Sequence, residues 1–272
     1  MKVIGYCCLH YGREWLYWSV RSVLESVDEF YIFYTPTPSH GHSTTLVNPE
    51  SFDEIKYTYD YLINTLNEFH DVCLNWGKVY WVMTDGFVHE GYQRTYCVNY
   101  CESKGADIVL VVDADELWEK DILDKAIDCV SKDDKRSYRV NMRHFYRSIY
   151  WYCDDAAMPT RLIKPAIDAN TEEYLHVGSV YHMGYAQSPS IVYYKQSIHG
   201  HKAEWRNNWY NDKFLNWVPG DSDVHPTCTN YWTPVEQTYK EPEFWHLYDL
   251  IYDHPYIGEA VITDESFNIE RL

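Results

Sequence analysis

Residues 108–116 read IVLVVDADE, five apolar positions that end in three carboxylates within four places. A short apolar run rich in β-branched residues is the pattern of a strand buried on both faces. Such a strand delivers Asp113, Asp115 and Glu116 to one point at its carboxyl end. Working outward, the spacing predicts a helix over 92–104, a strand over 78–83 (KVYWVM), a helix over 52–69 and a strand over 29–34 (EFYIFY). Nearer the start it predicts a helix over 14–25, with Trp15, Trp18, Val20, Val23 and Leu24 at helical spacing, and a first strand over 3–9. The order βαβαβαβ implies an α/β, Rossmann-like fold: a mostly parallel central sheet with helices on both faces and functional groups at the carboxyl ends of the strands.

Downstream of the acidic run the signals are mixed. A helix is expected over 119–130, a strand over 138–145, a strand near 179–183 and a helix around 242–252, with an aromatic and proline-rich pattern from about residue 205. The reading is of an α/β half over 1–120, a mixed α+β half over 121–205, and an aromatic-rich extension of the same domain over 206–272. No internal repeat or low-complexity tract interrupts it.

Composition narrows the class. With 46% hydrophobic and 24% charged residues in 272, the chain is globular and neither disordered nor fibrous. The 27 Tyr, 11 Trp and 9 Phe exceed ordinary core filling, so some rings are expected to face ligands with flat faces, such as sugars or nucleobases. A formal net charge of −18 disfavours sequence-independent nucleic-acid binding, although Arg136, Arg139, Arg143 and Arg147 form a local basic strip. The eight cysteines follow no disulfide or CxxC framework and read as thiols, with Cys97 and Cys101 packing on one helix face. The start runs straight into the first strand and no apolar stretch reaches about 18 residues, so the expectation is a cytoplasmic protein without a membrane-spanning helix.

Two carboxylates one residue apart at a strand end can hold a hard divalent cation through oxygen and leave positions open for phosphate oxygens. A cation there suits a reaction that expels a diphosphate, because it stabilises charge on the leaving oxygen.

The pair Gln93-Arg94 opening a helix, then Gly105-Ala106-Asp107 and the run VLVVDADELW over 109–118, resembles the centre of family 2 and related GT-A glycosyltransferases. The opening CCLHYGREWLYWSVRSVLESVDEFYIFY, residues 7–34, resembles their first strand, helix and second strand. The resemblance covers roughly the first 120 residues. It implies a GT-A type sheet, a nucleotide-sugar donor with a UDP-sugar favoured, and Mn²⁺ or Mg²⁺ as cofactor. Asp113 and Asp115 would be the metal pair, Asp115 the direct ligand and Asp113 reaching the ribose or a metal-bound water. Leu9, His10, Tyr11, Tyr34 and Thr35 would frame the nucleobase, with Arg94 near the phosphates. The stretches YHMGYA (181–186) and KQSIHGHKAEWR (195–206) resemble the tail of such enzymes, where a His often completes the metal site. His182 is the first choice, His199 and His201 the alternatives. The chain departs from the family after its second strand, where Tyr34-Thr35-Pro36-Thr37-Pro38 replaces an Asp that contacts the base or ribose. Asp85 is the candidate substitute.

An inverting transfer needs a base for the acceptor hydroxyl, and Asp154 and Asp155 after Tyr150-Trp151-Tyr152 are the candidates. A retaining transfer needs none. The expected acceptor is a saccharide or other hydroxyl compound, with a hydroxymethylated DNA base as a variant that the net charge disfavours. The competing readings are a metal-dependent phosphohydrolase or nucleotidyltransferase, and a glycan-binding module on a transferase scaffold.

Overall fold

The computed structural model describes residues 1–39, 44–66, 74–154, 158–168, 170–200, 202–227 and 232–236, without the Asp154 side chain. The helix expected over 242–252 and the candidates Asp155 and His201 lie outside the described residues.

Four parallel strands form the heart of the sheet. Strand β1 (Val3–Leu9) pairs with β2 (Glu29–Tyr34) on one side and β4 (Ile108–Val111) on the other, and β2 pairs with β3 (Val79–Met83). Period-two alternation splits their side chains between two cores. Cys7, Leu9, Phe30, Ile32, Ile108 and Leu110 pack against α1 (Leu16–Leu24), α2 (Phe52–Leu66) and α4 (Lys120–Lys132). Ile4, Tyr6, Tyr31, Phe33, Val109 and Val111 face Cys97, Val98 and Cys101 of α3 (Glu90–Ser103). After β3 the chain crosses to the opposite face and returns as β4 on the far side of β1. The point where the strand order reverses is therefore the gap between the ends of β1 and β4, where open α/β sheets bind ligands.

The sheet continues in the opposite sense. Strand β8 (Thr160–Ile163) runs antiparallel to β4, and β6 (Ser137–Tyr146) antiparallel to β8. A hairpin joins β6 to β7 (Ser148–Asp154), which the short β10 (Val235–Glu236) flanks. The long β9 (Glu172–Tyr185) lies parallel to β6 and antiparallel to β5 (Glu116–Leu117). The architecture is the expected α/β one, a parallel first half followed by a mixed second half.

Strands β7 and β8 and helix α5 (Pro189–Ile198) were not apparent in the sequence. Helix α5 does carry a start signal, Ser188 followed by proline at its first position. Most of the tryptophan excess is core. Trp15, Trp18 and Trp118 are buried in the main core, and Trp205, Trp209, Trp217 and Trp232 form a third cluster with Tyr146, Tyr185 and Phe214. Much of the 205–232 region thereby packs onto the end of β6, β9 and α5. Among the described residues the exposed large aromatic rings are tyrosines, such as Tyr57, Tyr92 and Tyr193. No helix among the described residues is long and apolar enough to cross a membrane.

Candidate active site

The acidic run leaves β4 and turns at once. The Asp113 carbonyl accepts from the Glu116 amide at 3.0 Å and from the Ser19 hydroxyl at 2.9 Å, so the loop is anchored to α1. Gly12 lets the β1–α1 loop lie against it: its φ is +140°, and a Cβ there would sit 2.8 Å from the Ala114 Cβ. Residues 116–117 then pair with β9 in a register that sets Glu116 opposite His182, while the Met183 amide donates to the Asp115 carbonyl at 2.7 Å. That pairing brings His182, 67 positions downstream of Asp115 in the sequence, to the acidic turn.

A cavity of about 670 Å³ opens over this turn. Asp113 is held on both sides. Arg94 Nη2 donates to Oδ1 at 3.2 Å and Arg161 Nη2 to Oδ2 at 2.9 Å. Arg94 also donates from Nε to Glu90 at 2.7 Å, and Arg161 from Nε to both oxygens of the fully buried Glu116 at 3.0 and 2.9 Å. Burial would raise the Asp113 carboxyl, but the two guanidinium groups outweigh it and hold the group below the usual range.

Asp115 has a different environment. Gln187 Nε2 donates to Oδ2 at 2.7 Å, Lys195 Nζ lies 3.6 Å from the same oxygen, and His182 Nε2 lies 3.4 Å from Oδ1. Burial again favours the neutral acid, and His182 and Lys195 more than offset it, so the carboxyl stays well below its ordinary value. His182 is oriented from behind, its Nδ1 sharing a hydrogen bond of 2.7 Å with His144 Nδ1, and Trp232 stacks on the His144 ring at 4.6 Å. Tethering one ring nitrogen fixes which face of the other meets a ligand.

Of the other residues singled out from the sequence, Leu9, His10, Tyr11, Thr35, Arg94 and His199 line the same cavity. The His10 ring is clamped between the Thr35 carbonyl at 2.9 Å and the Tyr194 hydroxyl at 2.8 Å. Two expectations need correction. Tyr34 follows Phe30 and Ile32 onto the α1/α2 face, where its ring packs at 4.8 Å from Phe52, so period two turns it away from the cavity. Asp85 is exposed beyond β3 and is not among the lining residues. The Asp154 side chain lies outside the described residues; among those described, the second-half carboxylate that lines the cavity is Glu204. The basic strip is engaged within the chain: Arg136 donates to the Pro165 and Ile167 carbonyls, Arg139 to Glu172, and Arg143 and Arg147 lie over the Tyr152 and Phe214 rings.

No sequence signal assigned a role to Arg161, Gln187, Lys195 or His144. Arg161 sits in a four-residue strand with no periodic pattern, and Lys195 shows only as a basic residue on α5. Nothing local marks either one as a neighbour of residues 113–115.

Among the described residues no group of three His, Cys, Asp or Glu side chains is arranged to hold a metal. The donor set nevertheless fits a hard or borderline divalent cation in part. The Asp115 carboxylate and the His182 imidazole, steered by His144, face one another across the cavity wall, and diphosphate oxygens commonly complete such a sphere. Asp113 already accepts one arginine on each oxygen and keeps one further lone pair on each.

No family model matches the chain, and no curated protein matches it. Among solved structures it is similar to S. aureus TarS 1–349, at a TM-score of 0.42 and 12% identity over 68% of this chain and 61% of that one. It is similar also to TarS 1–349 in complex with UDP, at 0.40 and 13% over 79% and 71%. Its similarity to GalNAc-T7 with UDP, GalNAc and Mn²⁺ is 0.39 and 12% over 94% and 54%. The chain thus spans less than two thirds of the first of these and about half of GalNAc-T7. Likeness of this degree carries no statement about what this chain acts on.

Proposed function

We propose that the chain is a glycosyltransferase that moves a sugar from a nucleotide-sugar donor to a hydroxyl acceptor. The observation that carries this reading is the pairing of Asp113 and Asp115 at the β4 end, in one cavity with Arg94, Lys195 and His182, at the point where strand order reverses. Within a protein of net charge −18, this cavity holds Lys195 beside Asp115 and Arg94 beside Asp113, two cations that face a diphosphate bound there.

The donor is read as a UDP-sugar. His10, Tyr11 and Thr35 at the mouth of β1 and β2 frame the base. Asp113, its carboxylate fixed between two arginines, accepts from a ribose hydroxyl. In the transfer the bond from sugar C1 to the β-phosphate oxygen breaks with its electron pair leaving on that oxygen, and the acceptor oxygen bonds to C1. Lys195 stands beside Asp115 where that charge develops and stabilises it from a position fixed in advance by the fold. Asp115 and His182 would hold Mn²⁺ or Mg²⁺, which as a Lewis acid would supply further charge stabilisation to the diphosphate. For an inverting route the acceptor proton needs a carboxylate. Glu204, on the cavity wall, is placed for this role. The acceptor is read as a saccharide rather than a DNA base, because the arginine strip is already engaged.

The test is thermal stability with nucleoside diphosphates and nucleotide sugars, with and without Mn²⁺, on wild type and Asp115→Asn. One nucleotide family should stabilise the wild type only with metal, and Asp115→Asn should lose that gain together with roughly a hundredfold or more in transfer rate. If no nucleotide stabilises the protein and the variant behaves as wild type, the reading is wrong.

A further inference from the structure

A second cavity, of about 450 Å³, lies on the other side of α5. The helix serves both. Lys195, Ile198 and His199 line the first cavity, and Tyr193, Gln196 and Ser197, on the adjacent stripe, line the second. The turn after the helix divides the same way, Glu204 lining the first cavity and Lys202 the second. Its size falls within the range of about 300–1,000 Å³ typical of small-molecule sites.

The lining has two components. The first is aromatic: Tyr193 and Tyr210, with ring centroids 4.9 Å apart and planes inclined at 55°, beside Trp205. Tyr193 is half exposed at 49%, and the Tyr210 hydroxyl is fixed by donating to the Pro189 carbonyl at 3.0 Å. The second is amide. Asn211 donates to Asn208 and Asn208 to Asp212, each at 2.7 Å, which stiffens the wall, with Asn208 in the left-handed region at φ 57°. The side chains of Gln196 and Asn207 make no hydrogen bond among the described residues. Trp205 Nε1 is buried and has no hydrogen-bond partner among them either, a donor that ordinarily finds one.

We infer that this cavity is a saccharide-binding subsite that takes a neutral sugar unit of an extended glycan. A pyranose presents an apolar C–H face, which suits the tyrosine pair, and a rim of hydroxyls that both donate and accept. Amides are the side chains that answer both roles at once. A phosphate-bearing ligand is a poorer match, because Arg206 at this cavity is already bonded to the Asp223 and Thr227 carbonyls at 3.0 and 3.2 Å, leaving Lys202 as the remaining cation of the lining. The inference rests on the transferase reading only in taking the glycan as the acceptor. The binding itself stands on the second cavity alone.

The experiment is saturation-transfer NMR and titration of maltotetraose, cellotetraose and chitotetraose against wild type, Tyr193→Ala, Asn207→Ala and Asp115→Asn. At least one tetrasaccharide should bind wild type and Asp115→Asn alike, and roughly three- to tenfold more weakly to Tyr193→Ala, the loss expected for one stacking ring. Both second-cavity residues are exposed, and an unchanged melting midpoint verifies the fold of each variant. Failure of all three sugars to bind, binding indifferent to Tyr193 and Asn207, or Tyr193-dependent binding of a single-stranded oligonucleotide in their place would each overturn the inference. If sugar binding depends on Tyr193 while no nucleotide diphosphate stabilises any variant, the subsite stands and the transferase reading alone fails.

Discussion

At the scale of the residue, the site is organised by buried ion pairs, and Arg161 is the one with the most at stake. It grips Glu116 with its Nε and Nη2 nitrogens and steadies Asp113. Removing it leaves Glu116, which has no solvent exposure, as an uncompensated buried charge. Arg161→Ala should therefore cost about 3–5 kcal/mol, and Glu116→Gln combined with Arg161→Met should recover much of it, since two apolar or neutral groups bury more easily than one orphaned ion. Chemical denaturation of the two variants checks this; a loss under about 1 kcal/mol for Arg161→Ala would mean the pair is solvated. Glu14 behaves in the opposite sense. It is 6% exposed, accepts the Ser188 amide at 2.9 Å, and burial, followed by the nearby Glu50, raises its carboxyl from 4.5 to about 7. Because the folded protein holds this proton more tightly than the unfolded chain, unfolding releases it between pH 4.5 and about 7. Stability from this group is full at the acid end of that window and falls as pH rises through it, by roughly 3 kcal/mol. Glu14→Gln should flatten that part of the curve of melting midpoint against pH; an unchanged curve would show that Glu14 titrates normally.

At the scale of the element, the site depends on one loop touching another. Gly12 begins the turn into α1, and its φ of +140° and close approach to Ala114 leave no room for a side chain. Gly12→Ala should cost about 1–3 kcal/mol through backbone strain. It should also weaken nucleotide binding by displacing residues 113–115. Adding Ala114→Gly removes the steric clash but not the strained φ, so nucleotide affinity should recover more than stability does. Equal recovery of both would assign the whole effect to the clash. Strand β5 is only two residues long, yet its pairing with β9 decides that His182, and not His199, stands beside Asp115.

At the scale of the whole molecule, 41 acidic against 23 basic residues put the folded chain under self-repulsion. The opposite charges at the active site are clustered and largely buried, where salt screens them little, whereas most of the described acidic residues outside it are at least partly exposed. The melting midpoint at neutral pH should accordingly rise as NaCl goes from about 10 mM to about 300 mM, as screening relieves the repulsion. A fall would mean that attractive surface pairs such as Lys2 with Glu29 and Lys120 with Asp124 outweigh it.

The first half of this molecule was legible in the sequence because its information is local. Alternating βαβ periodicity fixes a parallel sheet, and an apolar run ending in carboxylates fixes which end of the strand carries Asp113 and Asp115. Arg94, on the helix that precedes that strand, was singled out by the family resemblance and not by periodicity. The surplus of tyrosine and tryptophan predicted ligand-facing rings, yet seven of the 11 tryptophans are buried, three in the main core and four in the third, which composition cannot distinguish. Apart from Arg94 and His182, which the family resemblance singled out, the partners of the two aspartates were decided only by tertiary structure, and all were brought together by it. Arg161 arrives on β8 through antiparallel pairing with β4, His182 through the β5–β9 register, and Lys195 through the docking of α5. These are contacts between segments 48 to 80 positions apart, set by strand register and helix packing, and no local pattern of residues encodes them.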